Sequence, residues 1–478
     1  MLRTAFLCIC IATGMIVSVV DSAEAQLRGP VVSGQVHLSG GSTGDLPFWL
    51  TSNRYGTVGR SGANVIGQIG AHVPFARDGG WDYAIGADFV GRRADRSALY
   101  AHELYAGVAY GPVQVTLGRQ EEVIGLVDST LSLGSTTWSR NTTPMPKAVL
   151  QTPEYVSVPG TDGFVGVRGY LAHGWFESDR FVEDAYLHQK NAYLRVLPER
   201  WPVQAHAGVQ HNAMWGGTHP EHGPLPSSFG DFIRIFWAQT VDEGESDVFG
   251  EDSSLGNTVV NYDVGLTAQA FGLQGRAYRQ FHFEEKGSEL FRSAWDGIWG
   301  VAIRSEDRNQ LVSGILYEHL YTMRQNAKSY EEEGRSERIW TWGRSDIHNH
   351  FVYGGGWTYE GRTIGIPLLM TDTDAPNIAA DISGRPIANN KVIAHHIGIE
   401  GVLPFDLRYR LLWTHSRNFG TVRNELDDLT QVSAQAEVER TLSGQHGLNL
   451  SAAVAADWGE VFADRAGFMM GISWAMRP

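Results

Sequence analysis

LYAGVAYGPVQVTLGR, residues 104–119, contains two alternating segments on either side of a Gly-Pro pair. Every second residue is apolar on both sides of Gly111-Pro112, and the residues between are mostly small or polar. The apolar set is Leu104, Ala106, Val108, Val113, Val115 and Leu117. A period of two predicts β-strands with one apolar face, and Gly-Pro predicts the turn between them. The stretch therefore predicts an antiparallel hairpin of two amphipathic strands.

The same alternation recurs along the chain, for example in WDYAIGADF (81–89), DVGLTAQAFGLQGRAY (263–278) and LNLSAAVAADW (448–458). Strands of nine to eleven residues with long loops at one end favour a membrane β-barrel over a soluble sandwich. Removing the first 25 residues leaves 453. At roughly 25 residues per strand and connection, this predicts one all-β domain, a transmembrane antiparallel barrel of about 18 strands.

The N-terminal stretch MLRTAFLCICIATGMIVSVVDSAEAQ predicts a secretory signal peptide over residues 1–25, followed by the barrel over residues 26–478. Both cysteines, Cys8 and Cys10, lie inside this signal, so we expect no disulfide in the exported chain. The net charge of −15 argues against a nucleic-acid partner, which requires a basic surface. The C-terminal MMGISWAM resembles the terminal signal that barrel assembly machinery reads in outer-membrane barrels.

Histidines gather around GVQHNAMWGG, residues 208–217. In VQAHAGVQHNAMW (203–215), strand parity places His206 in the lumen and His211 on the opposite face, so the two cannot share a metal ion without a bulge. Pairing with the preceding strand allows two registers, with either His188 or Lys190 opposite His211. Either register predicts that His188, Lys190, His211 and Trp215 gather at the extracellular rim. We expect a polar and aromatic rim, structural or sugar-binding, and no metal site.

Two further stretches combine aromatic rings with polar or charged groups. They are TTWSRNTTPMPK (136–147) and WTWGRSDIHNHFVYGGGWTY (340–359). Indole rings pack on sugar CH faces, while amides and guanidinium groups bind hydroxyls or uronate carboxylates. The candidate polysaccharide-binding residues here are Trp138, Arg140, Asn141, Arg344, Asp346, Asn349, His350 and Trp357.

Catalysis is not expected from these residues. Ser139 is the candidate nucleophile, but no G-x-S-x-G motif occurs and no histidine is tied to a serine by spacing. We therefore predict a non-enzymatic protein without a cofactor. An outer-membrane hydrolase is the weaker alternative.

Seven stretches, in order, resemble the Wzi capsule assembly protein family of Gram-negative outer membranes. They are LPFWLTSNRYGTVG, LGRQEEVIGLVDSTLSLGSTTWSRNTTPMP, DAYLHQKNAYLRV, GVQHNAMWGG, YEHLYTMRQN, DIHNHFVYGGGWTYEGRTIGIPL and NNKVIAHHIGIEG. The resemblance implies an 18-stranded outer-membrane barrel that acts like a lectin. The best-known members carry a helical bundle that plugs the periplasmic end. Here 46–60 is too short and glycine-rich for it, so we expect a missing or reduced helical plug.

The sequence thus predicts a protein of the Gram-negative outer membrane that binds and anchors or organises capsular polysaccharide or exopolysaccharide. The expected partners are that polymer, the lipid and lipopolysaccharide of the membrane, and the barrel assembly machinery. A porin-like diffusion channel for small solutes or saccharides is the alternative.

Overall fold

The hairpin of residues 104–119 forms as the sequence predicts. In the computed structural model, Leu104 pairs with Arg119 and Tyr110 with Val113 across the turn. Leu104, Val108 and Leu117 are exposed on the outer face. Their neighbours Tyr105, Ala109, Gln114 and Thr116 are buried on the inner face. The structure describes residues 30–76, 79–94, 97–239, 248, 255–284, 293–325, 328–330, 339–342, 345–378, 385–443 and 447–476. The predicted signal peptide and the candidate Arg344 lie outside these ranges.

Eighteen strands, one of them interrupted, close into one antiparallel barrel, which confirms the predicted fold and strand number. The first nine are β1 Val31–Asp45, β2 Ser61–Val73, β3 Trp81–Arg93, β4 Ser97–Tyr110, β5 Val113–Arg119, β6 Lys147–Gln151 continued by Val156–Ser157, β7 Val165–Trp175, β8 Tyr186–Val196 and β9 Val203–Trp215. The others are β10 Asn257–Ala270, β11 Leu273–Glu284, β12 Gly297–Ser305, β13 Gly314–Tyr321, β14 Val392–Leu403, β15 Leu407–Gly420, β16 Glu425–Ser443, β17 Leu448–Gly459 and β18 Arg465–Met476. Pairing of β1 with β18, from Val32↔Met476 to Gly41↔Gly467, closes the sheet.

The two ends of the barrel differ. Tight turns such as 111–112, 271–272 and 404–406 lie at one end, here called the turn end. At the loop end, residues 46–60, 120–146, 216–256 and 322–391 connect the strands. These loops contain four short two-stranded sheets. The sheets are Thr218–His219 with Gly223–Pro224, Lys328–Tyr330 with Ile339–Trp342, Thr358–Tyr359 with Arg362–Thr363, and Met370–Thr371 with Ile387–Asn389.

An apolar band surrounds the outer wall. Exposed aliphatic side chains face outward on nearly every strand, among them Leu38, Ile69, Ile85, Leu194, Val264, Val301, Ile315, Val454 and Ile472. Exposed aromatic rings lie at the turn end, with Trp81, Tyr110, Phe164, Trp201, Phe271 and Phe405, and at the loop end, with Trp175, Trp299 and Trp458. An apolar band between two aromatic girdles is the surface of a barrel that crosses a lipid bilayer.

Helix is scarce in the described part of the chain. Helix α1 covers Phe48–Thr51, inside the loop 46–60, and its four side chains are buried. Helix α2 covers Phe229–Phe236. Neither of these, nor any other described helix, combines the length and apolar character needed to span a membrane. The prediction that 46–60 forms no helical bundle is confirmed.

The loop 120–146, named the septum loop, crosses the lumen. It leaves the wall after β5 and returns at β6, and between them it contacts the opposite wall. Thr137 Oγ1 donates to Gln210 on β9 at 2.9 Å, and Ser132 Oγ donates to Glu318 on β13 at 2.5 Å. Near the centre of the loop, Asp128 forms a two-pronged ion pair with Arg304 on β12, at 2.7 and 2.6 Å. Polar wall residues therefore hold this loop in place.

A second loop packs on the septum loop from the loop end. This mouth loop comprises residues 345–391, of which 379–384 are not described. Trp357 is 0% exposed, and its indole Nε1 donates to the Thr137 carbonyl at 2.8 Å. Gly365 lies so close to the septum loop that a Cβ there would meet the Thr136 carbonyl oxygen at 2.0 Å. The hydrophobic core of the protein is therefore built inside the lumen, largely between these loops and the wall.

Substitution of Glu318 tests whether its hydrogen bonds hold the septum loop in place. Its buried carboxylate accepts hydrogen bonds from Ser132, the Leu133 amide and the Tyr278 hydroxyl. In Glu318→Ala each of these donors loses its acceptor, at roughly 1–3 kcal/mol each. We expect the septum loop to loosen and the single-channel conductance in planar bilayers to rise clearly above that of the wild type.

Glu439→Ala is the matched control. Glu439 also lines the lumen, and in the described residues it forms no hydrogen bond with the septum loop. Its substitution should leave the conductance unchanged. Equal conductance for Glu318→Ala and the wild type would show that Glu318 does not hold the septum loop in place.

Candidate functional site

The strand register shows which residues lie opposite His211 and on which face of the barrel each histidine lies. His211 pairs with Lys190 across β9 and β8, which is one of the two registers allowed by the sequence, and His188 pairs with Ala213. His206 faces inward, where its Nδ1 is 3.1 Å from the Tyr155 hydroxyl. The predicted separation of His206 from His211 is therefore confirmed. His188, Lys190, His211 and Trp215 do come together, at the loop end of the outer wall.

Helix α2 covers this outer-wall cluster. Ser228 begins the helix with a capping box, in which its side chain and that of Asp231 bind each other's backbone amides. Phe229, Phe232 and Phe236 then recur at a spacing of three to four and form one face. The Phe232 ring lies 5.3 Å from the His188 ring and 5.9 Å from the Trp215 ring. Helix α2 was not predicted, although both its capping box and its phenylalanine spacing are visible in the sequence.

The cover removes the cluster from water. His188, His211 and Trp215 are buried, and neither histidine ring forms a hydrogen bond in the described residues. The Lys190 ammonium lies 4.6 Å from the centre of the Phe236 ring, a cation–π distance. The cluster therefore packs a helix onto the lipid-facing wall, and a ligand could reach it only if α2 moved.

The three candidate polysaccharide-binding residues of the septum loop differ in what their side chains contact. Trp138 is buried, with the Lys147 ammonium 4.3 Å from its ring centre. The Asn141 amide donates to the Thr363 carbonyl at 3.0 Å and so joins the septum loop to the mouth loop. Arg140 instead lines a lumenal cavity of about 310 Å³. Of the three, only the Arg140 side chain faces open space.

Arg140 shares its cavity with two more arginines. Arg54 and Arg410 both bind the Glu437 carboxylate, Arg54 at 3.2 Å. Burial, together with the positive charges of Arg410 and Arg54, lowers the pKa of Arg140. The guanidinium groups of Arg54, Arg140 and Arg410 line this cavity together with the carboxylates of Glu121, Glu437 and Glu439, so its charges are mixed.

The mouth-loop candidates form a hydrogen-bonded frame. Asp346 pairs with Arg385 at 3.0 Å and accepts a hydrogen bond from the Asn349 side chain at 3.2 Å. Asn349 also donates to the Ile387 carbonyl at 3.0 Å. His350 Nδ1 accepts from the Val352 and Tyr353 amides, both at 3.2 Å. Together with the buried Trp357, these contacts hold the mouth loop in one conformation.

A partly exposed patch at the loop end brings the predicted candidate His350 together with residues outside the predicted set. This mouth patch consists of Phe181, His219, His222, His350 and Phe351, of which His219 is buried and His350 half-buried. Phe181 is 46% exposed and Phe351 49% exposed. The His219 ring lies 5.2 Å from Phe181 and 4.5 Å from His222, and Phe351 stacks on His350 at 4.9 Å. Phe181 packs against Gly354, where a Cβ would meet its ring at 2.8 Å.

One further cluster has the residue types of a metal site. The potential ligand atoms of His282, Glu284 and His348 all lie within 4.8 Å of one another, and all three residues are buried. His282 and Glu284 alternate on the inner face of β11, a spacing that the sequence displays. His348 joins them only through the fold.

Comparison with known proteins gives similarity of structure alone. No protein-family model matches the sequence, and none of the curated proteins matches it. The solved structure of Wzi, an outer-membrane protein involved in group 1 capsule assembly in Escherichia coli and a carbohydrate-binding β-barrel, is similar with a TM-score of 0.57. At 14% identity it covers 94% of this chain and 85% of that chain. This match confirms the predicted resemblance at the level of the fold.

Barrels from Pseudomonas aeruginosa are also similar. OccK5 (OpdH) has a TM-score of 0.47 at 10% identity, covering 94% of this chain and 97% of that one. OpdK, solved with vanillate, has a TM-score of 0.47 at 9% identity, covering 94% of this chain and 99% of that one.

The cover formed by α2 can be tested by chemical modification. Phe232→Ala removes the ring that contacts both His188 and Trp215, at a cost of about 2 kcal/mol, less than the roughly 3–5 kcal/mol of a fully buried phenylalanine. We expect diethyl pyrocarbonate to modify His188 and His211 faster in this variant than in the wild type, as read by mass spectrometry of the peptides.

Phe229→Ala serves as the control, because Phe229 lies on the same helix and is 78% exposed. It should leave both histidines protected. Rapid modification of His188 and His211 in the wild type would contradict a stable cover.

Proposed function

We propose that this protein is a non-enzymatic outer-membrane barrel that binds capsular polysaccharide or exopolysaccharide and anchors or organises it at the cell surface. The observation that carries the proposal is the obstructed lumen. The septum loop and the mouth loop lie across the barrel and bury a hydrophobic core there. A filled lumen suits a protein that holds a polymer better than one that lets solutes diffuse through.

The outer wall supports the location. Its apolar band and two aromatic girdles fit a bilayer, and its short turns would face the periplasm, as in other outer-membrane barrels. The loop end and the mouth patch would then face the cell exterior. Lipopolysaccharide would contact the upper wall around α2, and the barrel assembly machinery would insert the chain. The similarity in fold to the capsule-assembly barrel Wzi is in keeping with this arrangement.

The mouth patch is the surface best suited to a sugar polymer. Exposed aromatic rings can stack on the CH faces of pyranose rings, and histidine nitrogens can bond hydroxyl groups. Arg385 lies near His350 of the patch, and both Arg385 and the half-exposed Arg423 approach Asp346. Two arginines against one carboxylate leave positive charge for the carboxylates of an acidic polymer.

The geometry of Ser139 disfavours hydrolysis. Its hydroxyl donates to the Gly365 carbonyl at 2.6 Å and accepts from the Asn141 amide at 3.1 Å. A nucleophilic serine instead needs a hydrogen bond to a general base. Ser139 therefore joins the septum loop to the mouth loop by a hydrogen bond.

Binding can be tested on the purified protein. We expect Phe181→Ala together with Phe351→Ala to weaken binding to the polysaccharide of the source strain by at least about five-fold, because each lost stacking contact contributes about 0.5–1.5 kcal/mol. Trp81→Ala, which removes a 70% exposed ring at the turn end, should bind like the wild type. Equal binding by all three proteins would exclude the mouth patch as the binding surface.

The cellular role has a separate test. Deleting the gene should release surface polysaccharide into the medium without lowering the total amount made. Unchanged retention, combined with large and steady sugar-permeable openings of the wild type in planar bilayers, would favour the diffusion channel instead.

A further inference from the structure

We propose that His282, Glu284 and His348 bind a divalent transition-metal ion of the Zn²⁺ class, which clamps the mouth loop to the barrel wall. His282 and Glu284 belong to β11, and His348 belongs to the mouth loop, so an ion bound by all three would join wall and loop. Two imidazoles and one carboxylate are a ligand set that Zn²⁺ uses in proteins. The site is separate from the mouth patch and does not depend on the proposed function.

The distances fit such an ion. Zn²⁺ ligands at about 2.0–2.1 Å in a tetrahedral arrangement lie about 3.3–3.4 Å from each other. His282 Nε2 and Glu284 Oε1 are already 3.2 Å apart. Since all three ligand atoms lie within 4.8 Å of one another, His348 needs to approach by at most about 1.5 Å. The His282 and His348 rings stand edge to face, with centres 5.5 Å apart, so both can point at one ion.

An independent observation is the state of the His348 ring. The residue is 0% exposed, and neither ring nitrogen has a hydrogen-bond partner among the described residues. A buried polar group without a partner calls for an explanation, and a bound ion is a common one.

The backbone places His348 at this position. Its amide donates to Glu284 Oε1 at 2.8 Å, and its φ of +66° lies in the left-handed region that few non-glycine residues adopt. Gly365 leaves room for the ring, because a Cβ there would meet His348 Cε1 at 2.5 Å. The loop therefore adopts an uncommon conformation that brings this histidine to the carboxylate.

Outer contacts orient the other histidine. His282 Nδ1 lies 3.2 Å from Thr136 Oγ1 and 3.3 Å from Asn261 Oδ1. Bonding at Nδ1 directs Nε2 towards Glu284, as is usual for metal-binding histidines. Because Thr136 belongs to the septum loop, the ion would also tie the septum to the mouth loop.

The test uses the full-length protein purified in detergent, with Zn²⁺ or Co²⁺ as the probe. We expect the wild type to retain about one equivalent of Zn²⁺ after dialysis, measured by mass spectrometry of the metal, since the site has one set of ligands. Replacement by Co²⁺ should give the visible absorption of a low-symmetry site with nitrogen ligands. His348→Ala and Glu284→Gln should each lower the affinity by at least about ten-fold.

The matched control is His206→Ala, which removes a lumenal histidine of β9 outside the cluster and should retain the metal. Saturating Zn²⁺ should raise the unfolding temperature of the wild type and of His206→Ala but not that of His348→Ala. Wild-type protein that retains no Zn²⁺ and shows no Co²⁺ absorption would overturn the proposal without recourse to any variant. Equal retention by the wild type and by a folded His348→Ala would overturn it as well.

Discussion

Closure of the backbone hydrogen-bond ladder between β1 and β18 is the constraint on which the rest of the structure depends. A sheet exposed to lipid cannot leave an open edge, because no water is present to pair its amides and carbonyls. Once the sheet is closed and its outer face is apolar, the alternation of side chains places small, polar and charged residues inward. The lumen of this barrel is therefore lined by groups such as Gln210, Asn261, Glu318 and Glu437, all of which need partners.

The inward loops supply those partners. Glu318 binds three donors, two of them from the septum loop, and Asp128 brings a carboxylate to Arg304 on the wall. Burial raises the pKa of Asp128, but the hydrogen bonds and charge of Arg304, together with the amides of Leu131 and Thr130, outweigh it and lower that pKa overall. Apolar residues of the same loops then pack between these polar anchors and form a core in the centre of the barrel. The polar inner wall therefore holds the loops that fill the lumen.

The strands were predictable because their signal is local. A period of two identified the hairpin at 104–119, and parity alone separated His206 from His211. The path of the septum loop was not predictable, since 120–146 has no periodic pattern and its partners lie as many as 280 residues away, as for Thr130 and Arg410. Trp138, Asn141 and Trp357 were predicted to bind polysaccharide because of their residue types. Their partners proved to be other parts of the chain, which residue type alone does not reveal.

The contacts that hold these loops in place would also affect the free energy of binding a polymer. Binding costs less free energy when the binding surface is already ordered, because fewer side chains and loops lose freedom on contact. The mouth loop is joined to the septum loop through Trp357 and Asn141, and to β11 through the His348 amide. Phe351 and His350 project from this fastened loop, while Phe181 packs on Gly354 of the same loop. A rigid aromatic platform of this kind suits the repeated weak contacts of a long polymer, whereas a gate would need a loop that moves.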